Sequence, residues 1–290
     1  MLQYAQASLI VFTDGLCMSY SRSSGLLILG ASGQIGQMWY RLWKQGTLDL
    51  GPNPLWQIRT PHTDMEQTLL WDILKDPAPD ITPDAVICLA GVTSGADVAL
   101  NAQLALAAVQ VAQGAPVLFA STQAVYGPQH GCLSETDPCE PHTPYGRAKY
   151  AAEQAILQNP NVTILRFGNA IGADSLLRAT KQGAVTLDRF PDRMGPRRMM
   201  IGPLTLGRAC IDLLSCASLP DRILNLAQPE LVAMADILEA LGATWSWKMA
   251  PHTAISVLEM DLKAVQKLIT LPPAQPCELI KEALTAGWQV

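Results

Sequence analysis

One stretch, LLILGASGQIG at residues 26–36, decides how this 290-residue chain folds. Its apolar run at residues 26–29 predicts a short buried strand, and the residues after the stretch have apolar positions at helical spacing. Between the two, Gly30 allows a tight turn, Gly33 lets the backbone approach a pyrophosphate, and Gly36 lets the helix pack on the strand. Amide groups at the start of such a helix bind phosphate. The stretch therefore predicts a nucleotide-binding turn, and the alternative is a glycine-rich turn that binds nothing.

Strand-like and helix-like segments alternate from this turn through the first half of the chain. The predicted strands cover residues 26–29, 55–58, 85–90, 117–120 and 162–167, and the predicted helices cover residues 34–45, 98–112 and 144–158. Strands that are separated by helices form βαβ units in a parallel sheet. We therefore predict an α/β fold, a doubly wound parallel sheet of the Rossmann type, with a small C-terminal α/β cap that binds the substrate.

The predicted division of the chain has three parts. The sheet domain that carries the nucleotide-binding turn covers residues 25–175 with a returning segment near residues 200–228, and the cap covers residues 176–199 and 229–290. Residues 1–24 lack the basic and long apolar regions of a signal peptide. We expect them to be either a disordered leader or the product of an upstream start codon, with the true start at Met18.

Composition excludes several functional classes. Hydrophobic residues make up 49% of the chain and charged residues 16%, and no window approaches the ~18 uninterrupted apolar residues of a membrane helix. The net charge of −5 gives no reason to expect a nucleic acid or an anionic membrane as a partner. The seven cysteines are odd in number and irregular in spacing, which favours reduced thiols, a cytoplasmic location and no metal site.

Tyr145 and Lys149 form the second motif. They lie four residues apart in a predicted helix, so their side chains project from the same face. A tyrosine has an ordinary pKa near ~10, and a nearby ammonium group lowers that pKa. The pair can therefore act as a general base towards an alcohol or a general acid towards a ketone. The alternative is an ordinary exposed helix face.

The third motif is FASTQAVYG at residues 119–127. A predicted strand here ends in two hydroxyl side chains, Ser121 and Thr122, at the carboxyl edge where α/β sheets bind ligands. The alternative is a Ser-Thr turn that caps the strand.

Together these motifs resemble those of the extended short-chain dehydrogenases/reductases, specifically the NAD-dependent epimerase/dehydratase family. The resemblance runs from about residue 26 to residue 172 and fades towards the C-terminus. It implies that Tyr145 is the acid/base, that Lys149 assists it and contacts the nicotinamide ribose, and that Thr122 contacts the substrate oxygen. It also implies that Asn101 supports Lys149 through a water molecule.

The resemblance implies two further sets of residues. Those expected to bind the cofactor are Gly30, Gly33, Gln34, Ile35, Gly36, Arg59, Asp72, Ile73, Leu89, Ala90, Gly91, Tyr145, Lys149 and Phe167. Those expected to bind the substrate are Thr122, Gln123, Asn169, Arg197 and Arg198.

The second predicted strand bears on the choice between NAD and NADP. NAD-preferring members carry Asp or Glu at its end, where the carboxylate binds the ribose hydroxyls. Residues 55–60 contain no carboxylate, and Arg59 is suited to hold a 2′-phosphate. We favour NADP as the cofactor and keep NAD as the alternative.

The residues beside Thr122 narrow the reaction. Sugar dehydratases of the family place Asp-Glu directly after this threonine, whereas this chain has Gln123 and Ala124, which do not exchange protons. The cysteine that 3,5-epimerases use is also missing. Simple hydride transfer at a carbinol or ketone carbon remains, either as net oxidation or reduction or as 4-epimerisation.

The C-terminal third of the sequence contains further residues that bear on the substrate. Its arginines, Arg189, Arg193, Arg197 and Arg198, resemble those that bind the diphosphate of sugar nucleotides, or they form a solvated loop. The family usually has an acidic pair where this chain has IGPLTL at residues 201–206, and the short cap suggests a small sugar-like substrate. Trp245, Trp247 and Met249 alternate as in a strand and either line the pocket or belong to the core.

Two expectations concern partners. The resemblance implies a homodimer formed through the helices at residues 98–112 and 144–158. A second functional hypothesis is a redox sensor that binds the dinucleotide and a protein partner without catalysis. Such relatives commonly lose the Tyr-Lys pair, which is present here, so we favour the enzyme.

Overall fold

The computed structural model of the protein describes residues 9–13, 16–20, 23–216, 219 and 221–289. The strands are β1 (Leu9–Thr13), β2 (Leu16–Tyr20), β3 (Ser23–Leu29), β4 (Leu55–Ile58), β5 (Thr68–Leu70), β6 (Thr82–Cys88), β7 (Val117–Thr122), β8 (Cys132–Leu133), β9 (Val162–Phe167), β10 (Asn169–Ala170), β11 (Val185–Arg189), β12 (Arg197–Ile201), β13 (Ile223–Leu226), β14 (Leu231–Ala233), β15 (Trp245–Met249) and β16 (Val257–Met260). The helices are α1 (Gln34–Lys44), α2 (Asn101–Ala112), α3 (Pro144–Ile156), α4 (Ser175–Thr180), α5 (Pro203–Ser215), α6 (Met234–Leu241), α7 (Lys263–Gln266) and α8 (Pro276–Thr285). Short 3₁₀ helices cover Ala96–Leu100 and Gln123–Val125.

Seven parallel strands form the central sheet, in the order β5-β4-β3-β6-β7-β9-β13. The direction of winding reverses between β3 and β6, because β4 and β5 lie on one side of β3 and the later strands lie beyond β6. In such sheets the ligand binds at the carboxyl ends of the strands where the winding reverses. The predicted doubly wound parallel sheet of the Rossmann type is confirmed.

Side chains of the central strands alternate between two hydrophobic cores. In β3, Leu26 and Ile28 belong to the core that contains residues of α1 and α5, whereas Leu27 and Leu29 belong to the core that contains residues of α2 and α3. Successive side chains of a strand point to opposite faces, so the two helix layers cover opposite faces of the sheet. Both faces of the sheet are therefore buried at β3, which explains why its sequence at residues 26–29 is a continuous apolar run.

A smaller unit follows the first half of the chain. Strand β12 lies inside a second sheet of order β10-β12-β16-β8, with β14 antiparallel to β12, while β11 and β15 form a separate parallel pair. A third core contains Leu177 from α4, Leu238 from α6 and Ile280 from α8. This arrangement confirms the predicted small α/β cap, whose bounds at residues 176–199 and 229–290 stay a prediction.

A carboxylate from the end of the chain caps α5. Gly202 precedes this helix and has no side chain to cap it. Glu282 of α8 accepts hydrogen bonds from the Thr205 amide at 2.9 Å and from the Thr205 hydroxyl at 2.5 Å. Trp39 of α1 donates a hydrogen bond to the Pro203 carbonyl at 2.9 Å, which ties α5 to the helix of the glycine turn. Glu282 thus supplies a carboxylate at a helix end whose own sequence, IGPLTL, contains none.

Several element bounds differ from those predicted. Strand β3 begins at Ser23 rather than at residue 26, because its pairing with β6 extends back to Ser23 and Thr82. The predicted helix at residues 98–112 begins as a 3₁₀ helix and becomes α-helical at Asn101.

The leader is described only in part. In the region where the sequence predicts a disordered leader, β1 and β2 form an antiparallel pair. Residues 1–8, 14–15 and 21–22 lie outside the described residues. The leader's disorder and the start at Met18 therefore stay predictions. Among the described helices, none has both the length and the apolar character to cross a bilayer.

Candidate active site

Two cavities meet where the winding of the sheet reverses. The larger, about 850 Å³, extends from the glycine turn to the cap. The smaller, about 510 Å³, extends from the same turn towards β4 and the segment after β5. Both are lined by Gly30, Gly33, Leu89, Gly91 and Thr93. Two cavities joined at a phosphate-binding turn fit a dinucleotide, with one nucleoside on each side of the turn.

The glycine turn has the geometry that pyrophosphate binding requires. Gly30 has a φ of +82°, and a Cβ at this position would be 2.6 Å from the backbone nitrogen of Ala90. A Cβ on Gly36 would be 2.5 Å from the carbonyl oxygen of Ala31, so only glycine lets α1 approach β3 this closely. Gly33 provides no side-chain cap, which leaves the first-turn amides of α1 available to a ligand.

The smaller cavity contains the residues predicted for the adenosine half of the cofactor. It is lined by Arg59, Asp72, Ile73 and Ala90. Arg59 is exposed and forms no ion pair with any described residue. The Asp72 carboxylate, in contrast, forms an ion pair with the Lys75 ammonium at 3.4 Å. Within the described part of the chain, Arg59 is therefore the one cationic side chain that lines this cavity, and the carboxylates that line it are Asp72 and Asp97.

Gln57 is a residue of this cavity that the sequence analysis missed. Its side-chain oxygen accepts a hydrogen bond from the Gly30 amide at 2.8 Å, and its side-chain nitrogen donates to the Trp71 carbonyl at 2.6 Å. Gln57 thus holds the glycine turn against the segment that carries Asp72 and Ile73. The signal was present in the sequence, because Gln57 is the single polar residue of the predicted strand at residues 55–58.

Helix α3 carries the Tyr-Lys pair into the larger cavity. The helix begins after Thr143, whose hydroxyl accepts a hydrogen bond from the Gly146 amide at 3.0 Å. Tyr145, Lys149 and Thr122 all line the cavity. Burial raises the pKa of Tyr145 to about 12, and a hydrogen bond with Thr122 only partly offsets this.

Lys149 is almost fully buried at 3% exposure. Its ammonium donates to the Ala120 carbonyl at 2.7 Å and lies 4.6 Å from the centre of the Phe119 ring. Burial lowers the pKa of Lys149 to about 8. The expected lowering of the Tyr145 pKa by Lys149 is not seen in the protein alone, where burial of the phenol is the largest influence and raises that pKa. Tyr145 is therefore a neutral phenol, and a proton donor, at neutral pH.

Asn101 lies beside Lys149 but lines neither cavity. Its side-chain nitrogen donates to the Val92 and Val98 carbonyls at 2.9 and 2.7 Å, and its oxygen accepts from the Val92 amide at 3.2 Å. A Cβ on Gly91 would lie 3.0 Å from both the Asn101 side-chain oxygen and the Lys149 ammonium. Asn101 is therefore adjacent to Lys149, and its support through water stays a prediction.

The predicted substrate residues divide into two groups. Gln123, Asn169 and Arg198 line the larger cavity together with Thr122. Arg197 lines neither of the two cavities, so the prediction that it binds substrate has no support from this geometry. Neighbouring residues of β12 point to opposite faces of the strand, which is why only one of the two arginines lies at the cavity.

Gln123 and Asn169 form a pair at the cavity wall. The Gln123 side-chain nitrogen donates to the Asn169 side-chain oxygen at 2.6 Å. The Gln123 side-chain oxygen is buried and has no hydrogen-bond partner among the described residues. Buried polar atoms usually have partners, so this oxygen is available to a donor group of a ligand.

A buried ion pair supports the site from behind. The side chains of Glu153 of α3 and Arg166 of β9 are 0% and 3% exposed. A guanidinium nitrogen of Arg166 lies 2.8 Å from a carboxylate oxygen of Glu153. Ser121 donates a hydrogen bond to the same carboxylate. This pair fixes α3 against the ends of β7 and β9. Sequence reasoning did not identify Glu153 because its partner lies on a different element, 13 residues further along the chain.

The remaining predicted cofactor residues also lie at the cavities. The larger cavity is lined by Gln34, Ile35, Gly36, Leu89, Gly91 and Phe167. Trp247 and Met249, considered as pocket residues, line neither cavity and are 37% and 89% exposed. The site as a whole thus combines a dinucleotide cleft, a Tyr-Lys-Thr group and an amide pair.

Comparisons with known proteins agree with this geometry. The model of the NAD-dependent epimerase/dehydratase family matches residues 26–200. A UDP-glucose 4-epimerase of Rhizobium leguminosarum bv. trifolii is 43% identical over 75 residues, which are 24% of this chain and 23% of that relative. The chain thus matches about a quarter of the length of this curated relative.

Solved structures show the same fold. MoeE5 in complex with UDP-glucuronic acid and NAD is 20% identical, with a TM-score of 0.69 over 90% of this chain and 98% of that one. UDP-glucuronic acid 4-epimerase from Bacillus cereus in complex with NAD is 21% identical, with a TM-score of 0.69 over 90% and 98%. TunA, an NAD-dependent NDP-hexosamine 5,6-dehydratase, is 19% identical, with a TM-score of 0.70 over 91% and 97%. The chain therefore belongs to the NAD-dependent epimerase/dehydratase family.

Proposed function

We propose that this protein transfers hydride at a carbinol or ketone carbon of a sugar or sugar-nucleotide-like substrate, with Tyr145 as the acid/base. The observation that carries the proposal is the convergence of Tyr145, Lys149 and Thr122 in one cavity beside the glycine turn. When bound, the nicotinamide ring supplies or accepts the hydride, and its oxidised form adds positive charge to the cavity. The family includes epimerases and dehydratases, so the choice between them depends on the residues near the reacting carbon.

The proton chemistry follows from the two pKa values. Tyr145, with a pKa raised to about 12, donates its phenolic proton to the substrate oxygen when a ketone is reduced. Thr122, which hydrogen-bonds to Tyr145, orients that oxygen. In the oxidative direction Tyr145 takes the proton back, and positive charge in the cavity is what favours its phenolate form.

The cavity wall supports hydride transfer without elimination. Gln123 and Ala124 follow Thr122 and carry no carboxyl group. Glu153 of α3 is bound to Arg166 and Ser121 and does not line the cavity. Asp174 lines the cavity, but its carboxylate accepts hydrogen bonds from the backbone amides of Gly172, Leu176 and Leu177. We therefore favour an oxidoreductase or a 4-epimerase over a dehydratase.

Arg59 supports NADP rather than NAD. Strand β4 has no carboxylate for the ribose hydroxyls, and Arg59 follows it directly with no ion-pair partner in the described part of the chain. A 2′-phosphate would supply the missing anion. We expect wild-type protein to bind NADPH at least tenfold more tightly than NADH, and Arg59→Ala to abolish that preference. A tenfold preference for NADH would remove Arg59 from this role.

The substrate side supports a sugar nucleotide. Arg198 lines the larger cavity, and relatives named above carry UDP-glucuronic acid or act on UDP-glucose. The guanidinium of Arg198 already donates to the Ile255 carbonyl at 2.8 Å, so it is held in place before a diphosphate arrives.

The test is turnover on a defined panel. Purified protein is assayed with NAD(H) and NADP(H) against UDP-glucose, UDP-galactose, UDP-glucuronic acid, free keto-sugars and aldehydes, with NAD(P)H absorbance and product analysis as readouts. Turnover that disappears in Tyr145→Phe supports the proposal. Cofactor binding with no turnover on any substrate would contradict it and favour the redox sensor.

We also propose that the protein is a cytoplasmic homodimer that uses α2 and α3. These two helices pack side by side, and Leu106 on α2 is 50% exposed. The cysteines whose side chains are described are free thiols, which supports a reducing compartment. Light scattering of wild type and Leu106→Glu tests the interface, because a monomeric wild type would contradict it.

A further inference from the structure

Arg178 of α4 reaches from the cap to the glycine turn. Its guanidinium donates to the side-chain oxygen of Gln34, the first residue of α1, at 3.4 Å. It also donates to the Ala173 carbonyl at 3.4 Å. Both distances are at the long end of the hydrogen-bond range, so neither contact holds the guanidinium firmly.

The charge of Arg178 has no partner in the described part of the chain. The nearest acidic residue on its own segment is Asp174, one helical turn away. The Asp174 carboxylate accepts hydrogen bonds from the amides of Gly172, Leu176 and Leu177, so it serves the backbone rather than Arg178. Arg178 is exposed and lines the larger cavity beside Gly33 and Gln34.

The two sides of this gap complement the same chemical group. On one side, the uncapped amides at the start of α1 provide hydrogen-bond donors and the positive end of a helix dipole. On the other side, a planar guanidinium with weak contacts provides two further donors and a full positive charge. A pyrophosphate carries two negative charges and presents oxygens in several directions, so it can use both sides at once.

We propose that Arg178 binds the pyrophosphate of the nicotinamide dinucleotide, exchanging its contact with Gln34 for phosphate oxygens and so attaching the cap to the cofactor. The proposal rests on the proposed function only in that a dinucleotide occupies the glycine turn. A nucleotide sugar also contains a pyrophosphate, so the experiment has to separate the two sources. The hydrogen bond of Arg178 with Gln34, at the start of the helix that follows the glycine turn, favours the cofactor.

The experiment measures dissociation constants by calorimetry for wild type, Arg178→Gln and Arg178→Lys. The matched control is Arg208→Gln, which makes the same charge change at an exposed arginine of α5 that lines neither cavity. Its side chain donates a hydrogen bond to the Thr47 carbonyl at 3.4 Å. The probes are NADPH, NADH, UDP-glucose and adenosine 2′-monophosphate, which lacks a pyrophosphate.

We expect Arg178→Gln to raise the dissociation constants of NADPH and NADH by about tenfold to a hundredfold, the usual effect of losing hydrogen bonds to a charged group. Arg178→Lys should lie between wild type and Arg178→Gln, because an ammonium keeps the charge but not the planar pair of donors. Adenosine 2′-monophosphate should bind all four proteins equally. Unchanged NADPH affinity in Arg178→Gln, or a loss confined to UDP-glucose, would overturn the proposal. A wild type that binds neither dinucleotide would overturn the proposed function as well.

Discussion

Replacing Tyr145 with phenylalanine removes one hydroxyl group from the larger cavity and leaves the ring in place. Burial of this hydroxyl raises its pKa to about 12, although its hydrogen bond with Thr122 acts in the opposite direction. Its loss removes the proton donor to the substrate oxygen. A positioned acid/base contributes about 10²–10⁴ in rate, so we expect turnover to fall by that factor.

The structure also sets what Tyr145→Phe should leave unchanged. The glycine turn is untouched, so the dissociation constant of the dinucleotide should stay within about twofold of wild type, less than the effect of a single hydrogen bond. One neutral hydrogen bond contributes about 0.5–1.5 kcal/mol, and the removed hydroxyl no longer has to be desolvated. The shift in Tm should therefore be no more than about 2–4 °C.

The assay compares single-turnover hydride transfer in wild type, Tyr145→Phe, Lys149→Ala and Thr122→Ala. Tyr150→Phe, which removes a hydroxyl from the same helix outside both cavities, serves as the control. We expect Lys149→Ala to lose at least as much as Tyr145→Phe, and Thr122→Ala to lose less, because the phenol still reaches the substrate oxygen. If Tyr145→Phe kept more than a tenth of wild-type turnover on the true substrate, the mechanism would be wrong even with the fold and cofactor correct.

Three further predictions address pH, stability and the glycine turn. Burial lowers the pKa of Lys149 to about 8, so the ammonium is charged below that pH and neutral above it. Reductive turnover should therefore fall above about pH 8, and a rate that stays constant up to pH 10 would show that the charge is not needed. Arg166→Met leaves the buried Glu153 carboxylate without its partner and should lower the free energy of unfolding in urea by about 3–5 kcal/mol. Lys281→Met, at an exposed ion pair with Glu278, should lower it by less than about 1 kcal/mol, and equal effects would refute the assignment of Glu153 and Arg166 as a structural pair. Gly36→Ala places a Cβ 2.5 Å from the Ala31 carbonyl oxygen and should weaken dinucleotide binding more than tenfold by displacing α1; a wild-type dissociation constant would show that the helix does not have to approach β3 so closely.

The features that the sequence predicts well are short in range. The glycine turn and the Tyr145–Lys149 pair each depend on residues within one or two turns of a single element, so their spacing determines their geometry. The five predicted strands all lie in one parallel sheet, as their alternation with helices indicates, whereas β5 and β13 were not among these five strands. These features fix the sheet and the cofactor side of the site before any long-range contact is known.

Long-range contacts account for what the sequence did not provide. Gln57 holds the turn across 27 residues of chain, and Arg178 meets Gln34 across 144. No local pattern distinguishes such residues from ordinary polar positions. The direction of the Tyr145 pKa shift was missed for a related reason, because that pKa depends on how deeply the phenol is buried, and burial is a property of the assembled fold.

Arg197 and Arg198 illustrate a different limit. Both were predicted to bind substrate, and only Arg198 lies at the larger cavity. Adjacent residues of a strand face opposite sides, so choosing between them requires the register of β12 to be known to the residue. Strand bounds read from sequence are uncertain by more than that, as the early start of β3 at Ser23 illustrates.

The cap that Glu282 places on α5 makes the order of synthesis matter. α5 begins near residue 203, but the carboxylate that binds its amino end emerges from the ribosome about eighty residues later, with the last helix. Through Trp39 and Pro203, α5 in turn supports the helix that follows the glycine turn. A nascent chain that has completed its seven-stranded sheet therefore still lacks the hydrogen bonds from Glu282 that cap α5. The nucleotide-binding half of this protein thus gains this contact only after residue 282 has been synthesised.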